Sequence, residues 1–131
     1  MRTIDITLDK PRRLRFDMRA LRALETDVRR ELGLPLQEAM VRWFSVTARL
    51  LVLHGLRHED PKLTLERVEG AIQNYIDGGG DVARLYEAAS RALRLSGVLG
   101  AAAQQMAQAE IEEDETAAER AAVDPPEPAL P

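Results

Sequence analysis

The side chains of this 131-residue chain with most chemistry to offer are two histidines, a run of three glycines, a crowd of arginines and one tryptophan. His54 and His58 stand four apart in the phrase HGLRHED, a spacing that sets two imidazoles on one helical face with Glu59 and Asp60 beside them. A metal centre asks for three or four converging ligands, yet there is no third histidine, no cysteine and no His-Glu-x-x-His. Gly55 and Pro61 signal a helix ending here, so the pair reads as one half-buried and one exposed histidine, and no metal is expected. Gly78-Gly79-Gly80 follows a helical pattern rather than a strand and lacks the Lys-Ser/Thr of a phosphate loop, so it reads as a connector and no nucleotide cofactor is expected. Ser45, Ser90 and Ser96 fall inside helical patterns without a nucleophile elbow. Glu112, Glu113, Asp114 and Glu115 lie in a solvated tail where no pocket would raise a carboxyl for acid catalysis. No catalytic residue is assigned, and the chain does not read as an enzyme.

Binding is the better prospect. Arg12, Arg13 and Arg15 belong to a basic cluster in the first thirty residues that also holds Arg2, Lys10, Arg19, Arg22, Arg29 and Arg30. Residues 1–100 carry 17 Lys and Arg against 14 Asp and Glu, whereas residues 101–131 carry one Arg against eight acids, so a mildly basic body precedes an acidic tail. The arginines can meet an anionic partner or the chain's own tail. A strand before a helix is also the order of ribbon-helix-helix DNA binders, which makes a small DNA-binding regulator the alternative function. A basic stripe alone is not a reading head, however, and five aromatics leave little for base stacking, so nucleic acid is not the expected partner. Trp43 and Phe44 are adjacent on a helix and point about 100° apart, so they cannot both face the centre of one narrow core stripe. Both fit a broad-stripe core; alternatively one serves as a partner-binding anchor, flanked by Met40 and Thr47.

These residues must be positioned by a mainly α fold. Ile4, Ile6 and Leu8 alternate with polar residues, and after Asp9-Lys10-Pro11 a second alternation places Leu14 and Phe16 opposite Arg13 and Arg15. The pattern predicts an N-terminal β-hairpin with charges on one face and apolar side chains on the other. Asp17 caps a helix with Met18, Leu21, Leu24, Val28 and Leu32 on one side and Gly33 at its end. Pro35 opens a second helix carrying Leu36, Met40, Trp43, Phe44, Thr47, Leu50 and Leu51, apolar on most sides beyond Val46 and hence central. Thr64 caps a third helix (Leu65, Val68, Ile72, Tyr75, Ile76), and Asp81 caps a fourth (Val82, Leu85, Tyr86, Ala89, Leu93 and Leu99). The expectation is a hairpin plus a compact bundle of about four helices over residues 1–100. Residues 101–131 read as a helical extension fraying into an acidic, proline-rich tail, with roughly the last twenty residues disordered.

With 45% hydrophobic and 31% charged residues, the chain can bury a modest core. The absence of cysteine, of an apolar leader run and of a stretch near the ~20 residues of a membrane span fits a cytoplasmic protein without a membrane partner.

Two phrases resemble the tail assembly chaperones of long-tailed phages, prophages and gene-transfer agents. The first is Leu14 to Glu25, a hydrophobic-x-Phe-Asp-x-x-Ala-Leu-x-x-Leu-Glu pattern. The second runs from Gly55 to Val68, with Gly55, Leu56, Glu59, Asp60, Pro61, Leu63, Thr64, Glu66 and Val68 in step. The resemblance covers roughly residues 1–99; Leu34-Pro35 and the acidic tail depart from it. It implies a non-enzymatic protein that holds the tape-measure protein, and possibly meets the tail tube protein, in the host cytoplasm while the tube polymerises, then leaves before the virion matures. A homo-oligomer is compatible with that role. The partner-binding surface is expected at Trp43, Phe44, Met40 and Thr47, with Arg12, Arg13 and Arg15 as a second candidate.

Overall fold

A computed structural model describes residues 2–123. Two strands, β1 (Ile4–Thr7) and β2 (Pro11–Leu14), are followed by six helices: α1 (Met18–Leu32), α2 (Leu36–Arg42), α3 (Phe44–Leu56), α4 (Leu65–Asp77), α5 (Val82–Leu95) and α6 (Ala101–Val123). The strands pair antiparallel with Ile4 opposite Leu14 and Ile6 opposite Arg12. The mainly helical fold with an N-terminal hairpin is as the sequence patterns predict.

Helix α3 is the hub, in contact with α1, α2, α4, α5 and β2. Every residue from Leu50 to Leu56 is buried, including His54 and Gly55. Such an all-round apolar run is stable only with neighbours on every side. Three helix starts are capped as their sequences dictate: Asp17 accepts from the Ala20 N–H, Thr64 from that of Arg67 and Asp81 from that of Ala83. At the end of α1, Gly33 takes φ 68°, the left-handed geometry that lets its N–H close on Arg29 O. The three glycines at 78–80 connect α4 to α5, with Gly79 at φ 90°.

Four details depart from the sequence reading. The single helix expected from Leu36 to Leu51 is broken at Trp43, where the backbone takes φ −136° and ψ 53°. The Thr47 hydroxyl donates to Ala39 O at 3.2 Å. Eight residues of straight helix would separate those positions by about 12 Å along the axis, so the contact requires the bend. Met18, placed on the apolar face of α1, is exposed one residue after the cap, and Leu99 lies beyond the end of α5, also exposed. Helix α6 continues to Val123, so residues 112–123 of the expected disordered tail are helical, as their Ala and Glu content favours. The rest of that tail, 124–131, lies outside the described residues. Finally, the hairpin does not sort its charges onto one face. Arg12 points inward beside Leu14 while Arg13 points out, because a period of two puts residues 12 and 14 together.

Candidate functional site

The seven candidate residues fall in two places. Arg12, Arg13 and Arg15 belong to a joint between the hairpin and the α3–α4 loop; Met40, Trp43, Phe44 and Thr47 surround the bend between α2 and α3.

At the joint, β2 is pressed onto the end of α3. The Arg15 N–H donates to Gly55 O at 3.0 Å. A Cβ on Gly55 would lie 2.7 Å from Leu14 Cδ2 and 3.0 Å from Phe16 Cζ, so only glycine lets strand and helix meet this closely. Arg12 is only 9% exposed and makes two hydrogen bonds to Asp9, at 2.9 and 2.8 Å, with Asp60 a further 3.9 Å away. The hydrogen bonds that Arg12 donates hold the Asp9 carboxyl below its usual range, and the same bonds raise Arg12. Arg13 donates to Glu59 at 3.0 Å, and His58 Nε2–H donates to Arg13 O at 2.7 Å. The basic hairpin thus finds its carboxylates in Asp9, Glu59 and Asp60. Glu110 and Asp114 of α6 pair instead with Arg91 and Arg94 of α5.

The two histidines do not share a ligand position. His54, 3% exposed, donates from Nε2 to Asp27 Oδ2 at 2.7 Å, tying α3 to α1, while His58 faces the β2 backbone. No group of three or more His, Asp or Glu residues that could hold a metal is found among the described residues. Burial pushes the His54 imidazole below its ordinary value, outweighing the opposing pull of Asp27. Neutral His54 therefore stabilises the fold fully above the ordinary pKa of about 6.5. That contribution is lost as pH falls through the depressed native value. Stability is expected to decline as pH falls below about 6.5, by at most ~1.4 kcal/mol per unit. H54Q, which keeps a donor for Asp27, should flatten this limb; an unchanged slope in urea titrations would show that another group is responsible.

A cleft of about 410 Å³ beside the joint is lined by Arg15, Asp17, Arg19, Ala20, Ala23, His54, Arg57, His58 and Pro61. Arg57 spends its guanidinium on Leu63 O, at 3.2 and 3.1 Å. Arg12 and Arg13 line a separate open cleft with Asp5 and Glu59, where negative charge balances positive.

No family model, curated protein or solved structure matches this chain. Site geometry must therefore carry the functional reading.

At the bend the four candidates separate by role. Thr47 is buried and serves the chain turn. Phe44 is half-buried and meets Tyr86 of α5 edge-on, ring centroids 6.3 Å apart. Met40 is half-buried against the core. Trp43 is 52% exposed and Val41 84% exposed. The break in the helix rotates Trp43 out of the stripe that Phe44 follows inward. Among the described residues no helix is long and apolar enough to cross a membrane.

Sequence reasoning missed Asp27, Glu59 and Asp60 as the partners of His54 and the hairpin, and missed Arg91 and Arg94 as those of Glu110 and Asp114. For the last four a signal existed: Arg91 and Arg94 stand i, i+3 and Glu110 and Asp114 i, i+4, so each pair shares a helix face.

Proposed function

We propose that this protein is a phage tail assembly chaperone that binds an apolar stripe of the tape-measure protein through the α2–α3 corner. The observation carrying this reading is Trp43, a large ring half in solvent at the bend, two residues after the exposed Val41, while the neighbouring Phe44 packs edge-on against Tyr86. Exposed tryptophan is the side chain most favoured as an interface anchor, and a long helical client offers apolar stripes for it to cover. The two phrases that resemble the chaperone family support the same reading. They cover the end of β2, the first half of α1, the end of α3 and the start of α4.

The test is co-expression with a tape-measure protein, the long helical client that this reading requires. The chaperone reading expects that protein to become soluble and to be retained in a pull-down. A client equally soluble without this chain, and not retained, would refute it. The regulator reading is weakened by the neutralisation of Arg12 and Arg13. Random duplex DNA is accordingly expected to bind no tighter than the micromolar non-specific range, ~10⁻⁴–10⁻⁶ M. Submicromolar binding that collapses with added salt would restore it.

A further inference from the structure

Helix α6 is joined to the body in a manner unlike the other helices. Among the described side chains of α6 only Ala107 is buried, and Ala107 and the buried Leu95 of α5 both stand outside the main apolar cluster. Polar groups supply most of the attachment. Arg94 makes two hydrogen bonds to Glu110, at 2.8 and 2.9 Å, Arg91 meets Asp114 at 2.8 Å, and Gln104 donates to Leu95 O at 3.1 Å. Arg91 Nε is buried without a hydrogen bond, although the Glu110 carboxylate lies 3.4 Å away. A second acceptor would satisfy it better than α6 does. The α5–α6 connection carries glycines at φ 86° and 109°, Gly97 and Gly100, at the positions where a hinge would turn.

We infer that the α6-facing side of α5 around Arg91 and Arg94 is a receptor for an acidic amphipathic helix, which α6 occupies in the free protein and a partner helix takes over. The chemistry of the partner is read from the occupant. It is a helix with a small residue at one position and carboxylates three and seven positions later, as Ala107, Glu110 and Asp114 stand here. Those residues share one helical face, so the small residue lets the helix approach α5 while the carboxylates reach both guanidiniums. The partner committed to is a segment of the client, and this identification alone rests on the chaperone reading. The docking surface is a second one, separate from Trp43.

The experiment needs no client. In the full chain, reversing the carboxylates (E110K and D114K together) places like charges against Arg91 and Arg94 and should release α6. Amide exchange over residues 103–111 should then accelerate while α3 stays protected. A labelled peptide of residues 101–123 with the native sequence should bind this variant at least about tenfold more tightly than wild type, whose tethered α6 competes at an effective concentration on the order of millimolar. In a separate variant carrying R91E and R94E with the native α6, α6 should again be released, the native peptide should not bind, and a peptide carrying E110K and D114K should bind. Unchanged α6 protection, equal binding to variant and wild type, or binding indifferent to Arg91 and Arg94 would each overturn the inference. So would a concentration-dependent wild-type dimer that dissociates on charge reversal, because the occupant would then be a second copy's α6. Failure here leaves the tape-measure reading standing, and failure of co-expression leaves this surface standing.

Discussion

Phe16→Ala is expected to lower the unfolding free energy by about 3–5 kcal/mol, a large share of the ~5–15 kcal/mol that holds a typical domain. Phe16 is 1% exposed, lies two residues after the end of β2, and seats its ring against the Gly55 turn of α3. Truncating it empties the place where hairpin, α1 and α3 converge. Backbone ties fix the strand there through the Arg15 N–H to Gly55 O, so the void cannot close by a simple shift of β2. Gly55→Ala attacks the same contact from the opposite side. Its methyl must displace Leu14 and Phe16, at a cost of about 1–3 kcal/mol for overpacking. The two changes should be non-additive: with Phe16 removed, the alanine at 55 has room, and the double variant should be more stable than the summed losses imply. Urea unfolding of the four proteins tests this. Simple additivity would show that the two positions do not share a contact, contrary to the close approach described above.

The same contact shows what a sequence can and cannot announce. Alternation placed Leu14 and Phe16 on the inner face of a strand, and caps at Asp17, Thr64 and Asp81 fixed where three helices begin, because both signals are local. Gly55 reads as a helix terminator in sequence, yet it lies inside α3. Its meaning comes from a strand forty residues away, and no local pattern carries that. A charged face on the hairpin fits Arg13 and Arg15, but the phase of Arg12 in the strand is that of Leu14. Burial became tolerable only because Asp9 and Asp60 converge on its guanidinium, a condition set by tertiary structure. The bend at Trp43 has no glycine or proline to mark it. Helical periodicity continues across it, and the clue is the buried Thr47 hydroxyl, which needs an acceptor and finds one on the previous helix. For the candidate site this matters most, because the bend decides which of two adjacent aromatics faces solvent.

Trp43→Ala is therefore expected to separate binding from folding. With half of its surface in solvent, Trp43 contributes little packing that truncation would remove, and the unfolding free energy should change by less than about 1 kcal/mol. Client binding should fall by ~2 kcal/mol or more, roughly 30-fold in Kd, if the ring is an anchor that a client stripe desolvates. Phe44→Ala supplies the contrast. Its ring already has a partner in Tyr86, so its loss should appear first in stability. Val41→Asp adds a measurement that does not depend on shape: Val41 is exposed, so the fold should tolerate the charge, whereas an apolar client stripe should not. Binding is read by pull-down and titration against the tape-measure segment retained in co-expression, stability by urea unfolding of each variant alone. If Trp43→Ala and Val41→Asp both fold and bind normally, the corner is ordinary surface and the client must be held elsewhere, with the Arg91 and Arg94 face of α5 the next surface to test. If Trp43→Ala instead unfolds the protein, the ring is a structural brace of the bend, and Val41→Asp alone then decides whether the corner binds.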